Sequence, residues 1–417
     1  MKSYIIEGGR KLKGTVEIGG SKNASLPILA ATILGNGISK IYNVPNISDI
    51  DNTLKILQKI GCKVKRNNGK IEINSHYIKN TEIPKELMSK MRSSVILAGA
   101  LLGKYGKAKF SYPGGCDIGS RPIDIHMNAF KKLGIEIREE QGDIICNAEN
   151  IVGSTINLDF PSVGATENII LATCMAQGTT VINNAAMEPE IVDLIKFLKK
   201  MGANIEGEGT NKIIVKGVKK LSGTSYNVMF DRIEAGTFLC LTAATGGEVL
   251  LKNTNYGNME AIISKLEESG CAIECKKNNI HLCAPKRLKS LEIKTTVYPG
   301  FPTDMQQIFS AMLLKASGTS VIVENIFESR YKYLSELRKM GTKIIQDGRI
   351  AIITGKRKIQ SAEMVCTDLR GGAAMVIAAL TAKGTSKVKD IDYISRGYEN
   401  FEKKLNGIGA RIKVIDD

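Results

Sequence analysis

The chain contains no tryptophan, and only 5% of its 417 residues are aromatic. Nucleic-acid bases stack on aromatic side chains, so a platform for single strands is not expected, although the formal net charge is +16. Histidine is scarce too, with only His76, His126 and His281. No histidine is read as closely paired with a cysteine, which argues against a dedicated zinc site. No apolar run approaches the roughly 18 residues of a membrane span. The N-terminus shows no signal-peptide pattern. The nine cysteines (62, 116, 146, 174, 240, 271, 275, 283 and 366) are odd in number and scattered. They suggest reduced thiols in a cytoplasmic protein rather than a disulfide framework. Cys271 and Cys275 flank Ile273 in an expected strand and are read as core or solvent thiols.

What is present is ordinary for a globular chain: 43% hydrophobic and 24% charged residues, in a length suited to two or three domains. The lysines are spread along the chain. They fit the handling of small anions, or a lysine-rich bias, better than a nucleic-acid tail.

One phrase recurs six times, as in Leu-Gln-Lys-Ile-Gly-Cys-Lys-Val (57–64) and Leu-Lys-Lys-Met-Gly-Ala-Asn-Ile (198–205). Its glycines are Gly61, Gly134, Gly202, Gly270, Gly341 and Gly409, at intervals of 73, 68, 68, 71 and 68. Each phrase reads as an amphipathic helix, a glycine cap and a strand. Upstream in every repeat an apolar helix ends at a glycine (37, 106, 178, 247, 318 or 384), and a strand begins. A helix that is apolar nearly all round is buried. Each unit thus reads as strand, helix, strand, loop, helix, strand and a further strand, in an α/β protein whose sheets cover buried helices.

From upstream glycine to capping glycine the distances are 24, 28, 24, 23, 23 and 25 residues. The longest belongs to the second repeat, and its extra residues fall in Tyr-Pro-Gly-Gly-Cys-Asp-Ile-Gly-Ser-Arg-Pro-Ile-Asp-Ile-His (112–126). Glycine and proline shape such a loop. It presents Cys116 beside Arg121, and a cationic neighbour favours the reactive thiolate. Insertions on a regular scaffold are where function concentrates.

The repeats also align charge. Lys22, Arg92, Asp231, Asp304, Asp368 and Arg370 precede or open the apolar helices, as do Ser162, Val163 and Gly164. Arg121, Arg330 and Arg396 stand before amphipathic helices. Helix N-termini carry free N–H groups and partial positive charge, so the pattern points to a multiply charged anion.

Gly-Ser-Lys-Asn-Ala-Ser (20–25), Pro-Gly-Gly-Cys-Asp-Ile-Gly-Ser-Arg-Pro (113–122), Ser-Val-Gly-Ala-Thr-Glu-Asn (162–168), Asp-Arg-Ile-Glu-Ala-Gly-Thr (231–237), Phe-Pro-Thr-Asp-Met-Gln (301–306), Asp-Leu-Arg-Gly-Gly (368–372) and Arg-Gly-Tyr-Glu (396–399) together resemble the UDP-N-acetylglucosamine 1-carboxyvinyltransferase family. The likeness runs the length of the chain. It implies an inside-out α/β barrel fold: two domains, each of three βαβαββ repeats around buried helices. The implied boundaries are 22–229 against 1–21 with 230–417, with the active site in the cleft between.

The implied reaction is enolpyruvyl transfer from phosphoenolpyruvate to the sugar 3-hydroxyl, in peptidoglycan synthesis. Cys116 matches the family's proton donor, and Asp304 the residue set at the hydroxyl. Lys22, Asn23, Arg121, Arg330, Arg370 and Arg396 match phosphoenolpyruvate contacts. Asn23 again, Arg92, Arg121, Pro122, Ile123, Asp124, Ile125, Ser162, Val163, Gly164, Asp304 and Ile326 match sugar-nucleotide contacts. A guanidinium fork suits both carboxylate and phosphate. The resemblance implies no metal or organic cofactor, small-molecule partners, no nucleic acid and no membrane insertion, and leaves the oligomeric state open. Phe160-Pro161, Phe230 and Ser395 depart from the family pattern.

Two alternatives stand beside this reading. The sister transferase of the shikimate pathway shares the fold and the phosphoenolpyruvate chemistry, but the Cys116 loop and the Ser-Val-Gly-Ala-Thr segment favour the sugar nucleotide. A non-catalytic anion- or RNA-binding module would show steeply salt-dependent binding and indifference to Cys116→Ala.

Overall fold

All six capping glycines turn the chain through the left-handed region, with φ from 69° at Gly341 to 115° at Gly61. A side chain resists that conformation, which is why the phrase keeps its glycine. Five of the upstream glycines do the same. In the fourth repeat the left-handed residue is Gly246 (φ 71°) rather than Gly247, one place earlier than the spacing suggested. The computed structural model describes residues 2–67, 69–114 and 123–416.

The apolar helices are α1 (Lys22–Ala31), α2 (Ile96–Tyr105), α3 (Val163–Thr173), α4 (Arg232–Thr245), α5 (Gln306–Met312) and α6 (Leu369–Thr381). Every residue of α4 from Arg232 to Ala243, and every residue of α6, is buried. The alternating helices, such as Ser48–Ile60 and Pro189–Met201, bury one face only.

Described residues from Gly20 through Met229 form one compact unit, here the first. Those up to Gly19 and from Phe230 onward form the second. Each has its own apolar core, around Ile28, Leu101 and Ile169 in the first and around Phe238, Phe309 and Ile377 in the second.

In the first unit α1, α2 and α3 run side by side in one direction. Lys104, near the end of α2, donates to Leu34 O, just past α1, at 3.0 Å. Gly99 and Gly103 of α2 lie against Asn168 and Leu171 of α3, so closely that a Cβ on either would come within 2.4 Å of an oxygen. The second unit repeats the arrangement. Gly236 near the start of α4 faces Met305, just before α5. Lys315, just past α5, donates to Thr381 O at the end of α6 at 3.3 Å. In each unit the helix starts therefore gather at one end.

The sheets share one order. Thr155–Asn157 pairs in parallel with Thr179–Asn183, which pairs antiparallel with Lys212–Lys216, which pairs antiparallel with Asn204–Glu206. The same order recurs with strands borrowed from a distance. Ser225–Asn227 supplies the first strand beside Ile38–Tyr42, and Lys13–Glu17 the first strand beside Glu248–Lys252. In the sixth repeat the further strand expected after the capping phrase is Lys2–Gly8, between Gly384–Lys389 and Arg411–Asp416. The second repeat has three strands, with an isolated parallel bridge from Glu82 to Lys109 where a first strand would lie.

A second repeated device fixes the first strands, local or borrowed. Asn43, Asn184 and Asn253 each follow a strand in the left-handed region, at φ 57°, 56° and 59°. Their amides donate to Val228 O, Leu158 O and Ile18 O at 2.9, 2.8 and 2.8 Å. Asparagine tolerates that conformation better than most residues. Each lies six residues after its repeat's glycine, at 37, 178 and 247, a regularity visible in the sequence.

Candidate active site

The starts of the apolar helices carry most of the residues singled out by sequence; Arg396, expected before an amphipathic helix, instead closes the short helix Asp392–Ser395. Ser21 caps α1, its hydroxyl accepting from Ala24 N at 3.2 Å, and Lys22 is the first helical residue. Ser162 caps α3 through Ala165 N at 3.3 Å. Arg92 opens the 3-10 turn that runs into α2. Asp231 accepts from Ile233 N and Glu234 N, both at 2.9 Å, and Asp368 from Arg370 N and Gly371 N at 3.0 and 2.9 Å. Such caps satisfy free N–H groups and leave the positive helix end facing outward.

In the first unit Lys22 Nζ lies 2.8 Å from Asp49 Oδ2, on the amphipathic helix Ser48–Ile60. Lys22 and Asn23 are half-buried and Asp49 is buried. A further group forms where the helix Asp124–Lys132 packs on α3. Ile123 is buried, Ile125 half-buried and Asp124 exposed. Asn168 Nδ2 donates to His126 Nδ1 at 2.8 Å, and the His126 ring faces Gly164. Burial, and then the Arg92 charge, push the His126 imidazole down to about 4. It is therefore neutral at neutral pH, with the proton on Nε2. Arg92, Ser162, Val163 and Gly164 are half-buried around it.

In the second unit Asp304 sits between two buried guanidiniums. Arg330 Nη2 donates to Oδ1 at 2.6 Å, and Arg370 donates to Oδ2 through Nε at 3.2 Å and Nη2 at 3.1 Å. Charge-assisted bonds of this kind are short and geometrically specific. The Arg370 guanidinium also lies 5.3 Å from the centre of the Tyr398 ring, whose hydroxyl bonds Thr237 Oγ1 at 2.8 Å. Arg396 is half-buried at the end of the short helix Asp392–Ser395, two residues before Tyr398. The structure thus brings together Asp304, Arg330 and Arg370, and separately Arg92, Ser162, Val163 and Gly164 with the Ile123–Ile125 segment. Cys116, Arg121 and Pro122 lie outside the described residues.

In the second unit, one carboxylate held between two guanidiniums at the helix starts suits a small anion and a proton transfer beside it. Residues 6–405 match the family model of EPSP synthase (3-phosphoshikimate 1-carboxyvinyltransferase). Over 413 residues the chain is 49% identical to UDP-N-acetylglucosamine 1-carboxyvinyltransferase 2 of Caldanaerobacter subterraneus subsp. tengcongensis, covering 99% of both proteins. It is 42% identical to the UDP-N-acetylglucosamine 1-carboxyvinyltransferase of Geobacter metallireducens, covering 100% of both. The chain belongs to the UDP-N-acetylglucosamine 1-carboxyvinyltransferase family.

The fold agrees. The enolpyruvyl transferase NikO from Streptomyces tendae superposes with a TM-score of 0.91 at 20% identity, covering 99% of both chains. An EPSP synthase from Acinetobacter baumannii gives 0.77 at 20% identity over 100% of both. The inside-out α/β barrel of these enolpyruvyl transferases is the architecture described above, helices within and sheets without.

In this carboxyvinyltransferase family member, sequence reasoning missed three supporting residues. Asp49, behind Lys22, reads in sequence as a first-turn acid that merely suits a helix start. His126 reads as the end of the Cys116 stretch. Glu324 stands six residues after Gly318, where other repeats have Asn43, Asn184 and Asn253, and that substitution was the available signal. It is fully buried. Its Oε1 accepts from Thr295 Oγ1, Ile326 N and Phe327 N at 2.9, 2.8 and 3.1 Å. Its Oε2 accepts from Thr303 Oγ1 at 2.8 Å, and Thr303 Oγ1 in turn accepts from Arg330 Nη1 at 2.7 Å. Glu324 therefore holds both the Ile326 backbone and the Arg330 fork beside Asp304.

The absence of a close histidine–cysteine pair does not hold. His281 and Cys283 share one face of a strand, with Nε2 and Sγ 3.9 Å apart. The i, i+2 spacing in an alternating strand was the signal.

Proposed function

We propose that the chain transfers the enolpyruvyl group of phosphoenolpyruvate to the 3-hydroxyl of UDP-N-acetylglucosamine and releases phosphate, the first committed step of peptidoglycan synthesis. The observation that carries this is identity of 42–49% with relatives of that name across nearly the whole of both chains.

Cys116 gives a proton to the vinyl CH2 carbon while Asp304 takes the proton of the 3-hydroxyl, whose oxygen bonds the carbon bearing the phosphate. The adduct then gives a methyl proton back to the Cys116 thiolate and expels phosphate, which leaves with the proton from Asp304, restoring the double bond as an enol ether. Lys22, Asn23, Arg121, Arg330, Arg370 and Arg396 hold the phosphate and carboxylate charges. Arg92, Arg121, Pro122, Ile123, Asp124, Ile125, Ser162, Val163, Gly164 and Ile326 hold the sugar nucleotide.

Helix starts supply N–H groups and positive potential where anions must dock. The Arg330 and Arg370 forks fix the Asp304 carboxylate before substrate arrives, which is the preorganisation that proton transfer needs. Both partners are small molecules, and acid–base chemistry of this kind asks for no organic cofactor. Boundaries of 22–229 against 1–21 with 230–417 accord with contacts that divide after Gly19 and Met229. Among the described residues no helix is long and apolar enough to cross a membrane. The described cysteines are free, and the setting proposed for the chain is the reducing cytoplasm.

The test is phosphate release from phosphoenolpyruvate with UDP-N-acetylglucosamine or shikimate 3-phosphate offered in parallel. Release with the sugar nucleotide alone is expected. Release with shikimate 3-phosphate alone would overturn the acceptor, and release with neither, from folded protein, would overturn the activity.

A further inference from the structure

A second group of chemically active side chains lies on the second unit's outer surface, at the other end of a core helix from Asp231. Its sheet is built from β1 (Lys13–Glu17), β2 (Glu248–Lys252), β3 (Ala272–Lys276) and β4 (Asn279–Cys283). Alternation on β4 buries Ile280 and Leu282 and turns His281 and Cys283 to the opposite, half-exposed face. Glu248 is the direct partner of Cys283 across the ladder. The three side chains thus share a face of paired backbone, which fixes their spacing better than a loop would.

The donor atoms have converged. His281 Nε2 is 3.1 Å from Glu248 Oε1 and 3.9 Å from Cys283 Sγ, and the three atoms lie within 4.8 Å of one another. A tetrahedral zinc ion, with bonds of about 2.3 Å to sulfur and about 2.0–2.2 Å to nitrogen and oxygen, sets its ligands roughly 3.4–3.6 Å apart. The observed separations bracket that range. Thiolate, imidazole and carboxylate are a donor set that favours zinc over calcium or magnesium. Lys13 Nζ holds the other carboxylate oxygen at 2.9 Å and is the competing cation. Its side chain is 75% exposed and free to swing away. Glu274, facing His281 across the ladder to β3, adds negative charge nearby.

We propose that Glu248, His281 and Cys283 form a surface site for a zinc-class divalent ion, with water completing the tetrahedron. The ion clips β2 to β4. Glu248 follows the last turn of α4, and the 14 residues of that helix span about 20 Å. The site is therefore separate from the residues gathered at the helix starts.

The test is titration of the tag-free full chain with Co2+ and then Zn2+. The protein is a Cys116→Ser variant, so that the loop thiol contributes no signal. One equivalent of Co2+ should give a thiolate-to-metal charge-transfer band and the strong visible bands of a tetrahedral site, both displaced by Zn2+. Cys283→Ser should abolish the charge-transfer band, while Cys275→Ser, on the adjacent strand, should keep it. Loss of a ligand should weaken binding more than loss of an outer partner does, so His281→Asn and Glu248→Gln should each weaken Zn2+ binding at least about ten-fold. Lys13→Ala should tighten it by removing the competing cation. With Cys116 present, Cys283→Ser should retain phosphate-releasing turnover, which certifies its fold. A chain that gives no saturable cobalt spectrum, or one whose spectrum survives both Cys283→Ser and His281→Asn, overturns the proposal.

Discussion

Lys22 Nζ rests 2.8 Å from a carboxylate oxygen of Asp49, whose side chain is 2% exposed. Lys22 is flexible by nature, and this contact gives it one position at the start of α1. Removing one member of a buried pair leaves the other uncompensated. Lys22 keeps some solvent, so Asp49→Asn should cost less than a fully buried break, about 1–3 kcal/mol. It should raise KM for phosphoenolpyruvate more than it lowers kcat. Urea unfolding and steady-state kinetics check both, and an unchanged KM would remove Asp49 from the positioning of Lys22.

Glu324 ties together four donors around Ile326 and Thr303. Glu324→Ala leaves several buried groups unpaired and should destabilise the chain by about 3 kcal/mol or more. Glu324→Gln keeps the shape and one acceptor oxygen, and should cost about 1 kcal/mol. The glutamine variant should therefore fold and show a raised KM for the sugar nucleotide. Equal stability of the two variants would contradict the hydrogen-bond account.

His126 should titrate near 4 rather than at the ordinary 6.5, because burial and then Arg92 disfavour its charged form. With three histidines in the chain, NMR ring signals should separate it cleanly. The folded pKa lies below the unfolded one, so the unfolded state binds the proton first as pH falls. Stability is then lost from about pH 6.5 down to about 4, by a total of about 3 kcal/mol. His126→Gln should flatten that slope. A histidine signal set that titrates wholly above pH 6 would contradict this environment.

Glu167 gives the opposite slope. Burial, with Glu190 and Glu188 nearby, raises its pKa well above the ordinary 4.5. Its neutral form is favoured in the fold, so its contribution is complete below the unfolded pKa and is lost as pH rises through the folded value. Glu167→Gln should reduce the fall in urea midpoint on the alkaline side of 4.5. A midpoint series with the same alkaline slope as the parent would show Glu167 ionised in the fold.

Cys116 and Asp304 divide the proton traffic in the proposed reaction. Asp304→Asn should lower kcat by roughly 10²–10⁴, the usual weight of a positioned acid or base. Cys116→Ala should fall likewise, whereas Cys116→Asp keeps a proton donor and should retain turnover. Equal turnover of Cys116→Ala and the parent would remove the thiol from the mechanism.

The sequence by itself determined the repeat, the burial order of its helices and the family. Six glycines must be left-handed and six helices are apolar nearly all round, and both are local demands that backbone sterics and solvent impose on residue type. It also placed most of the notable residues at helix starts, because capping is read from neighbours in the chain, but it missed that Arg396 closes a short helix. Only the tertiary structure decided which of those residues meet. Asp304 and Arg370 are 66 positions apart and join because α5 and α6 run parallel. Asp49 and Glu324 look like solvated charges in sequence, since burial is a property of packing. Lys2–Gly8 completes the sixth sheet, and Lys13–Glu17 begins the fourth, because strand pairing is blind to sequence distance. His281, Cys283 and Glu248 converge for the same reason: pairing sets side by side, on one face, residues that the chain keeps apart.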